Sequence, residues 1–165
     1  MLKKSLFLLV LFVLIPAVTA FAQSGQGRED IWMGPSIETA VYSSSDLPLG
    51  GGLAIGYGSG TSIGLKISWY FVSENVNTLE LDFLFRFYLS GSQAISGPFL
   101  QFTGGPAFFF PKDKEASIPA ELGMFSAGLN LGWRFLLGNL IFFEPSIRVG
   151  YPYLIGGGIF GGIRF

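Results

Sequence analysis

Between positions 78 and 89 the chain reads TLELDFLFRFYL, with an apolar residue at every second position. Side chains of an extended strand point alternately to two faces, so Leu79, Leu81, Phe83, Phe85, Phe87 and Leu89 share one face and Thr78, Glu80, Asp82, Leu84, Arg86 and Tyr88 the other. The stretch predicts a strand with one greasy face and one charged face. Taken alone, it fits either a β-sandwich or a membrane barrel.

The same zigzag recurs along the chain. Residues 31–42 set Ile31, Met33, Ile37 and Val41 against Gly34, Ser36, Glu38 and Ala40, although Pro35 removes one ladder donor. Residues 50–58 set Leu53, Ile55 and Tyr57 against Gly52, Ala54, Gly56 and Gly58, and residues 63–72 set Ile63, Leu65, Ile67, Trp69 and Phe71 against Lys66, Ser68 and Tyr70. Residues 97–110 alternate more weakly, because Phe stands on both faces. Residues 122–136 place Phe125, Ala127, Leu129, Leu131, Trp133 and Phe135 opposite Ser126, Gly128, Asn130, Gly132 and Arg134. Gly138-Asn139 is a hairpin turn signal. Residues 140–151 then place Ile141, Phe143, Ile147 and Val149 opposite Glu144, Ser146, Arg148 and Gly150. The last stretch, 156–165, sets Ile159, Gly161, Ile163 and Phe165 against Gly158, Phe160, Gly162 and Arg164. Turn-forming residues separate the segments. The count is eight strands of about ten residues, the number and length of the smallest outer-membrane barrels.

The first residues follow another rule. Lys3 and Lys4 precede an apolar run at 6–15 and the small-residue triplet Ala20-Phe21-Ala22, the layout of a cleaved secretory signal peptide over 1–22. The run stops at Pro16, short of the ~20 residues of a spanning helix. A polar lead, 23–30, precedes the barrel region 31–165. Loss of Lys3 and Lys4 would take the net charge from −1 to −3, which argues against nucleic acid as a partner. With no cysteine there is neither a disulfide nor a lipid-modified thiol.

Composition favours the membrane. The chain is 50% hydrophobic and 13% charged, where a soluble domain carries charge at roughly a quarter of its positions. Nearly every strand charge falls on the small or polar face: Glu38, Lys66, Glu80, Asp82, Arg86, Arg134, Glu144, Arg148 and Arg164. The glycines of that face would weaken a wetted sheet, but they suit a narrow lumen that side chains must fill. The opposite register would put Arg86 or Arg134 in hydrocarbon, at about 2–4 kcal/mol each. If the first strand rises from the periplasm, Tyr42, Trp69, Phe71, Phe108, Phe110 and Tyr151 cluster at the outer ends. Tyr57, Phe87, Trp133, Phe135 and Phe165 cluster at the inner ends. Two aromatic girdles result. The predicted fold is all-β: an eight-stranded antiparallel up-and-down transmembrane barrel.

With these features and the terminal GGIRF, the mature chain resembles small bacterial outer-membrane barrels of the OmpA transmembrane-domain and OmpX type. The resemblance implies residence in the outer membrane of a Gram-negative cell envelope, among its lipids and lipopolysaccharide. It also implies that Phe165 closes a signal read by the outer-membrane assembly machinery; Gly161 departs from the bulky residue often found in such signals. The expected oligomeric state is a monomer.

Charges inside a barrel should pair. The turn at 138–139 sets Arg134 opposite Glu144, the last hairpin can bring Arg164 beside the same carboxylate, and the turn at 73–77 brings Lys66 near Asp82. The expectation is a set of ion pairs that closes the lumen, in a non-enzymatic protein with a structural or membrane-integrity role. The alternatives are a narrow pore or lateral conduit for small apolar molecules, and a secreted lipid-binding barrel of lipocalin type. The last needs its apolar faces inward. The known enzymes among small barrels use a histidine base, and this chain has no histidine, which removes a Ser-His nucleophile. Glu80 and Asp82 share a face and could take Ca²⁺ or serve in acid/base work, but they read better as ion-pair partners of Lys66 and Arg86. The run 56–60, GYGSG, lacks phosphate-loop spacing and a following helix. Lys112, Asp113, Lys114 and Glu115 lie in a polar loop, 111–120, that reads as solvated rather than as a lipopolysaccharide contact. No cofactor, metal or catalytic residue is expected.

Overall fold

The computed structural model describes residues 30–41, 48–71, 76–91, 94–111 and 124–165. The signal region, most of the polar lead, Tyr42 and loop residues 112–120 lie outside the described residues. Eight strands follow in order: β1 (Ile31–Val41), β2 (Leu49–Tyr57), β3 (Thr61–Phe71), β4 (Val76–Tyr88), β5 (Gly97–Pro111), β6 (Met124–Leu137), β7 (Ile141–Tyr151) and β8 (Ile155–Arg164). Each pairs antiparallel with its chain neighbours, and β8 returns to β1, so the sheet closes. Their bounds lie within two residues of those predicted from alternation. Gly138, with φ of 72°, makes the left-handed turn between β6 and β7.

The register fixes the shape. Stepping from Ile31 through its paired residues leads to Tyr57, Ile63, Phe85, Phe102, Leu129, Val149 and Ile155, then arrives at Val41, ten residues along β1. Eight strands staggered by ten tilt about 40° from the axis and set a backbone radius of roughly 8 Å. An eleven-residue strand such as β1 then rises roughly 28 Å, enough to cross the ~25 Å apolar band of an outer membrane.

Every residue on that path is apolar and faces out. On β4, Phe83 is 64% exposed while its neighbour Asp82 is 2% exposed, and along β6 exposed Phe125, Leu131 and Trp133 alternate with buried Ser126, Asn130 and Arg134. Apolar side chains cover the wall and charged ones fill the axis. That arrangement overturns the lipocalin-type alternative, which needs the reverse. Among the described residues no helix is long and apolar enough to cross a membrane; the strands do so. At one end of the wall Trp69 stacks on Phe110 with centroids 5.4 Å apart. At the other, Phe135 stacks on both Trp133 and Phe143.

Two devices let so narrow a barrel close. Pro35 does not stop β1; it keeps its pairing with Leu53, and the pairing to β8 skips Gly34 and Pro35 and resumes at Ser36. Proline is tolerated because the seam gives up a ladder bond there, and a Cβ at Gly34 would come 2.0 Å from the Gly161 carbonyl oxygen. Inside, large residues face glycines across the ladder: Trp32 opposite Gly56, Tyr70 opposite Gly50, Phe99 opposite Gly132 and Phe142 opposite Gly162. A Cβ added at any of the four would lie within 2.7 Å of the facing ring. The lumen glycines therefore hold space for particular rings. Trp32, Ala54, Leu84, Phe142 and Phe160 form one apolar plug, and Ala40, Tyr70 and Tyr153 another.

Candidate functional site

The lumen carries two polar networks, one in each half. The lower one lies toward the end where the described chain begins and ends. Arg86 from β4 grips Glu144 of β7 with two nitrogens, Nη1 to Oε1 at 2.6 Å and Nη2 to Oε2 at 2.9 Å. Arg134 from β6 donates through Nε to the same Oε1. Arg86 also donates to Gln101 Oε1 from Nε and Nη2 at 2.9 and 2.7 Å, and to the Tyr88 hydroxyl at 3.2 Å. Aromatic rings pack against both cations. Arg86 Cζ sits 4.1 Å from the Phe99 ring centroid and Arg134 Cζ 4.0 Å from that of Phe142, with Trp32 about 5 Å from each. Ring quadrupoles stabilise such buried guanidiniums by about 1–2 kcal/mol per contact.

The upper network links β1, β3, β4 and β7. Arg148 Nη1 donates to Glu80 Oε2 at 2.8 Å and to the Tyr70 hydroxyl at 3.2 Å. Tyr70 donates to Glu38 Oε2 at 2.7 Å and Ser36 to Glu38 Oε1 at 2.6 Å, while Lys66 closes an ion pair with the same carboxylate. Asp82 accepts from Ser126. At the lower mouth Arg164 Nη1 lies 3.0 Å from Asp30 Oδ2.

Several partners differ from those the hairpins suggest. Lys66 and Asp82 do face each other in the register, yet Lys66 pairs with Glu38 across β2, and Asp82 accepts from Ser126. Arg164 meets Asp30, since closure of β8 against β1 brings that residue nearer than Glu144. Asp30, the last residue of the expected polar lead, is 3% exposed. Arg86 and Glu80 reach across the axis to β7 instead of pairing along the β3–β4 face. Glu80 is engaged by Arg148, and Asp82 accepts from the neutral Ser126 hydroxyl. Among the described residues no three metal-ligating side chains converge.

Alternation alone did not single out Trp32, Tyr70, Tyr88, Gln101 or Ser126 as network members. All stand at inward positions of their strands, which is the signal that marks them. Between the networks lies a cavity of about 50 Å³, bordered by Trp32, Tyr70, Arg86, Asn130, Glu144 and Arg148. It has room for one or two waters.

No protein-family model matches the chain. No curated protein matches it either. Solved structures do. Neisserial surface protein A (NspA) superposes with a TM-score of 0.57 at 11% identity, over 82% of this chain and 95% of that one. The N-terminal β-barrel domain of Pseudomonas aeruginosa OprF gives 0.56 at 17% identity, over 85% of this chain and all of that one. The outer membrane protein OprG of Pseudomonas aeruginosa gives 0.51 at 11%, over 86% and 98%. The chain has the fold of the small outer-membrane β-barrels. At these identities the likeness concerns the fold alone; the lumen residues must be argued from their own geometry.

Proposed function

We propose that this protein is a non-enzymatic barrel of the bacterial outer membrane whose role is structural, sustaining membrane integrity with a lumen closed by ion pairs. The carrying observation is the bidentate Arg86–Glu144 bridge between β4 and β7, seconded by Arg148–Glu80 between the same strands. Both pairs span the bore, and the space left beside them is too small for a hydrated solute. Breaking such a buried pair costs about 3–5 kcal/mol. Thermal motion at neutral pH does not supply that often.

Location in the outer membrane is supported by the secretory pattern at 1–22, by the apolar wall and by the fold. Its lipid partners are outer-membrane lipids and lipopolysaccharide, the assembly machinery reads the last strand through Phe165, and the barrel works as a monomer. What supports that role is the exposure of Phe165, 62% on the wall, with its amide donating to the Ile31 carbonyl of β1 at 2.8 Å.

Planar-bilayer recording tests the reading. The expected trace shows no steady open level, and a lasting large conductance would establish the pore instead. Cell fractionation tests the address: the protein should require detergent for extraction and run as a heat-modifiable band.

A further inference from the structure

We propose that the outer wall of the barrel holds one acyl chain of an inner-leaflet phospholipid in a fixed groove across β1 to β4, an inference that rests on the membrane reading above. The wall carries there an apolar groove of about 660 Å³. Its banks are two consecutive outward rows of the ladder: Met33, Ile55, Leu65 and Phe83 form one, and Leu53, Ile67 and Leu81 the other. Between them runs the rung Gly34, Ala54, Lys66 and Asp82. Gly34 has no side chain, Ala54 and Asp82 are buried in the lumen, and Lys66 turns inward to Glu38, so the floor is backbone. Pro106 stands at the far end, where the β4–β5 pairing lapses.

A furrow separates every two rows of a sheet, but elsewhere on this wall rings fill it. Side chains two residues apart meet across it as Trp69 and Phe71, Phe85 and Phe87, and Trp133 and Phe135, with centroids 6.4, 4.6 and 5.9 Å apart. The groove has Leu53 beside Ile55, Leu65 beside Ile67 and Leu81 beside Phe83, so no ring pair closes it. Rows two residues apart lie about 7 Å from each other, which admits one hydrocarbon chain but not a helix, about 10 Å across. Depth selects the lipid. Gly34 lies about 8 Å above the end where the described chain begins and ends, and the climb of the ladder takes the groove to about 17 Å at Asp82, on a wall of roughly 28 Å. With that end in the periplasm, the groove starts in the inner leaflet and stops near the midplane, as a phospholipid chain does. Lipopolysaccharide chains descend from the opposite face and would meet only its upper end.

Photolabelling tests the site. The wild-type protein is folded into phosphatidylcholine vesicles that include a phosphatidylcholine with a diazirine midway along one chain, then irradiated and mapped by mass spectrometry. Adducts should fall several-fold more often on Leu53, Ile55, Leu65 and Ile67 than on Leu129, Leu131, Ile147 and Ile159, exposed residues at similar depth on the opposite wall. Even labelling around the barrel would overturn the groove and leave the membrane reading standing; a wall without adducts would overturn both. Added lipopolysaccharide should leave the ratio unchanged, and its collapse would give the groove to that lipid and overturn the phospholipid assignment. A Leu65→Phe, Ile67→Phe variant sets into the groove a ring pair of the kind at Phe85 and Phe87. Read at Leu53 and Ile55, the ratio should then fall to parity, and an unchanged ratio in a heat-modifiable variant counts against the site. Should the variant not fold, the wild-type ratio decides.

Discussion

At Gly132 an added Cβ would sit 2.4 Å from Phe99 Cζ and 2.8 Å from the Pro145 carbonyl oxygen. Gly132→Ala must therefore move a ring that itself packs on Arg86, and overpacking of this kind costs about 1–3 kcal/mol. Urea unfolding in lipid vesicles should show that loss, whereas Gly161→Ala, whose Cβ would meet nothing nearer than 3.9 Å, should leave the midpoint unchanged. Electrostatics makes a larger demand at Glu144. Glu144→Gln strands two buried guanidiniums without a carboxylate and should cost about 3–5 kcal/mol in the same assay. A shift under 1 kcal/mol would mean that water, not Glu144, solvates those cations.

On β4 a single step along the strand exchanges lipid for lumen, because alternate side chains point to opposite sides of the wall. A spin label at Phe83 should accordingly be far more accessible to a lipid-soluble relaxing agent than one at Asp82; equal accessibility would contradict the register. Phe83→Arg places a cation on the wall opposite Leu65 and should destabilise the barrel by about 2–4 kcal/mol if the site lies near the midplane, as measured by unfolding from vesicles. The element also shows what alternation cannot convey. β4 supplies Glu80, Asp82, Arg86 and Tyr88 to the lumen, and it sends cross-bore pairs to β7, which no local pattern could assign.

The molecule as a whole stands in the membrane on two aromatic belts. Trp69 belongs to one end and Trp133 to the other, so both should be quenched by lipids brominated near the headgroup and little by lipids brominated near the chain terminus. Trp32, inside the lumen, should respond to neither. Single-tryptophan variants with brominated phospholipids read all three, and deep quenching of Trp69 or Trp133 would displace the belts. The closed ladder pairs most backbone donors and acceptors within the wall, as a hydrocarbon setting requires; the pairing is interrupted at three proline positions, Pro35 between β1 and β8, Pro106 between β4 and β5, and Pro145 between β6 and β7.

Strand number, strand limits and the choice of face were legible in the amino-acid order, because a period of two is a local property and the low share of charge leaves one assignment of inside and outside. Pairs between hairpin neighbours were partly legible too: Arg134 and Glu144 stand on β6 and β7 and do meet. Arg148 with Glu80, Arg86 with Glu144 and Arg164 with Asp30 were decided only by closure, and Lys66 with Glu38 by the pairing of β1 and β3 on either side of β2. A stagger of ten residues carries strands distant in sequence to the same height across a narrow bore, and long flexible cations then take the nearest carboxylate across it.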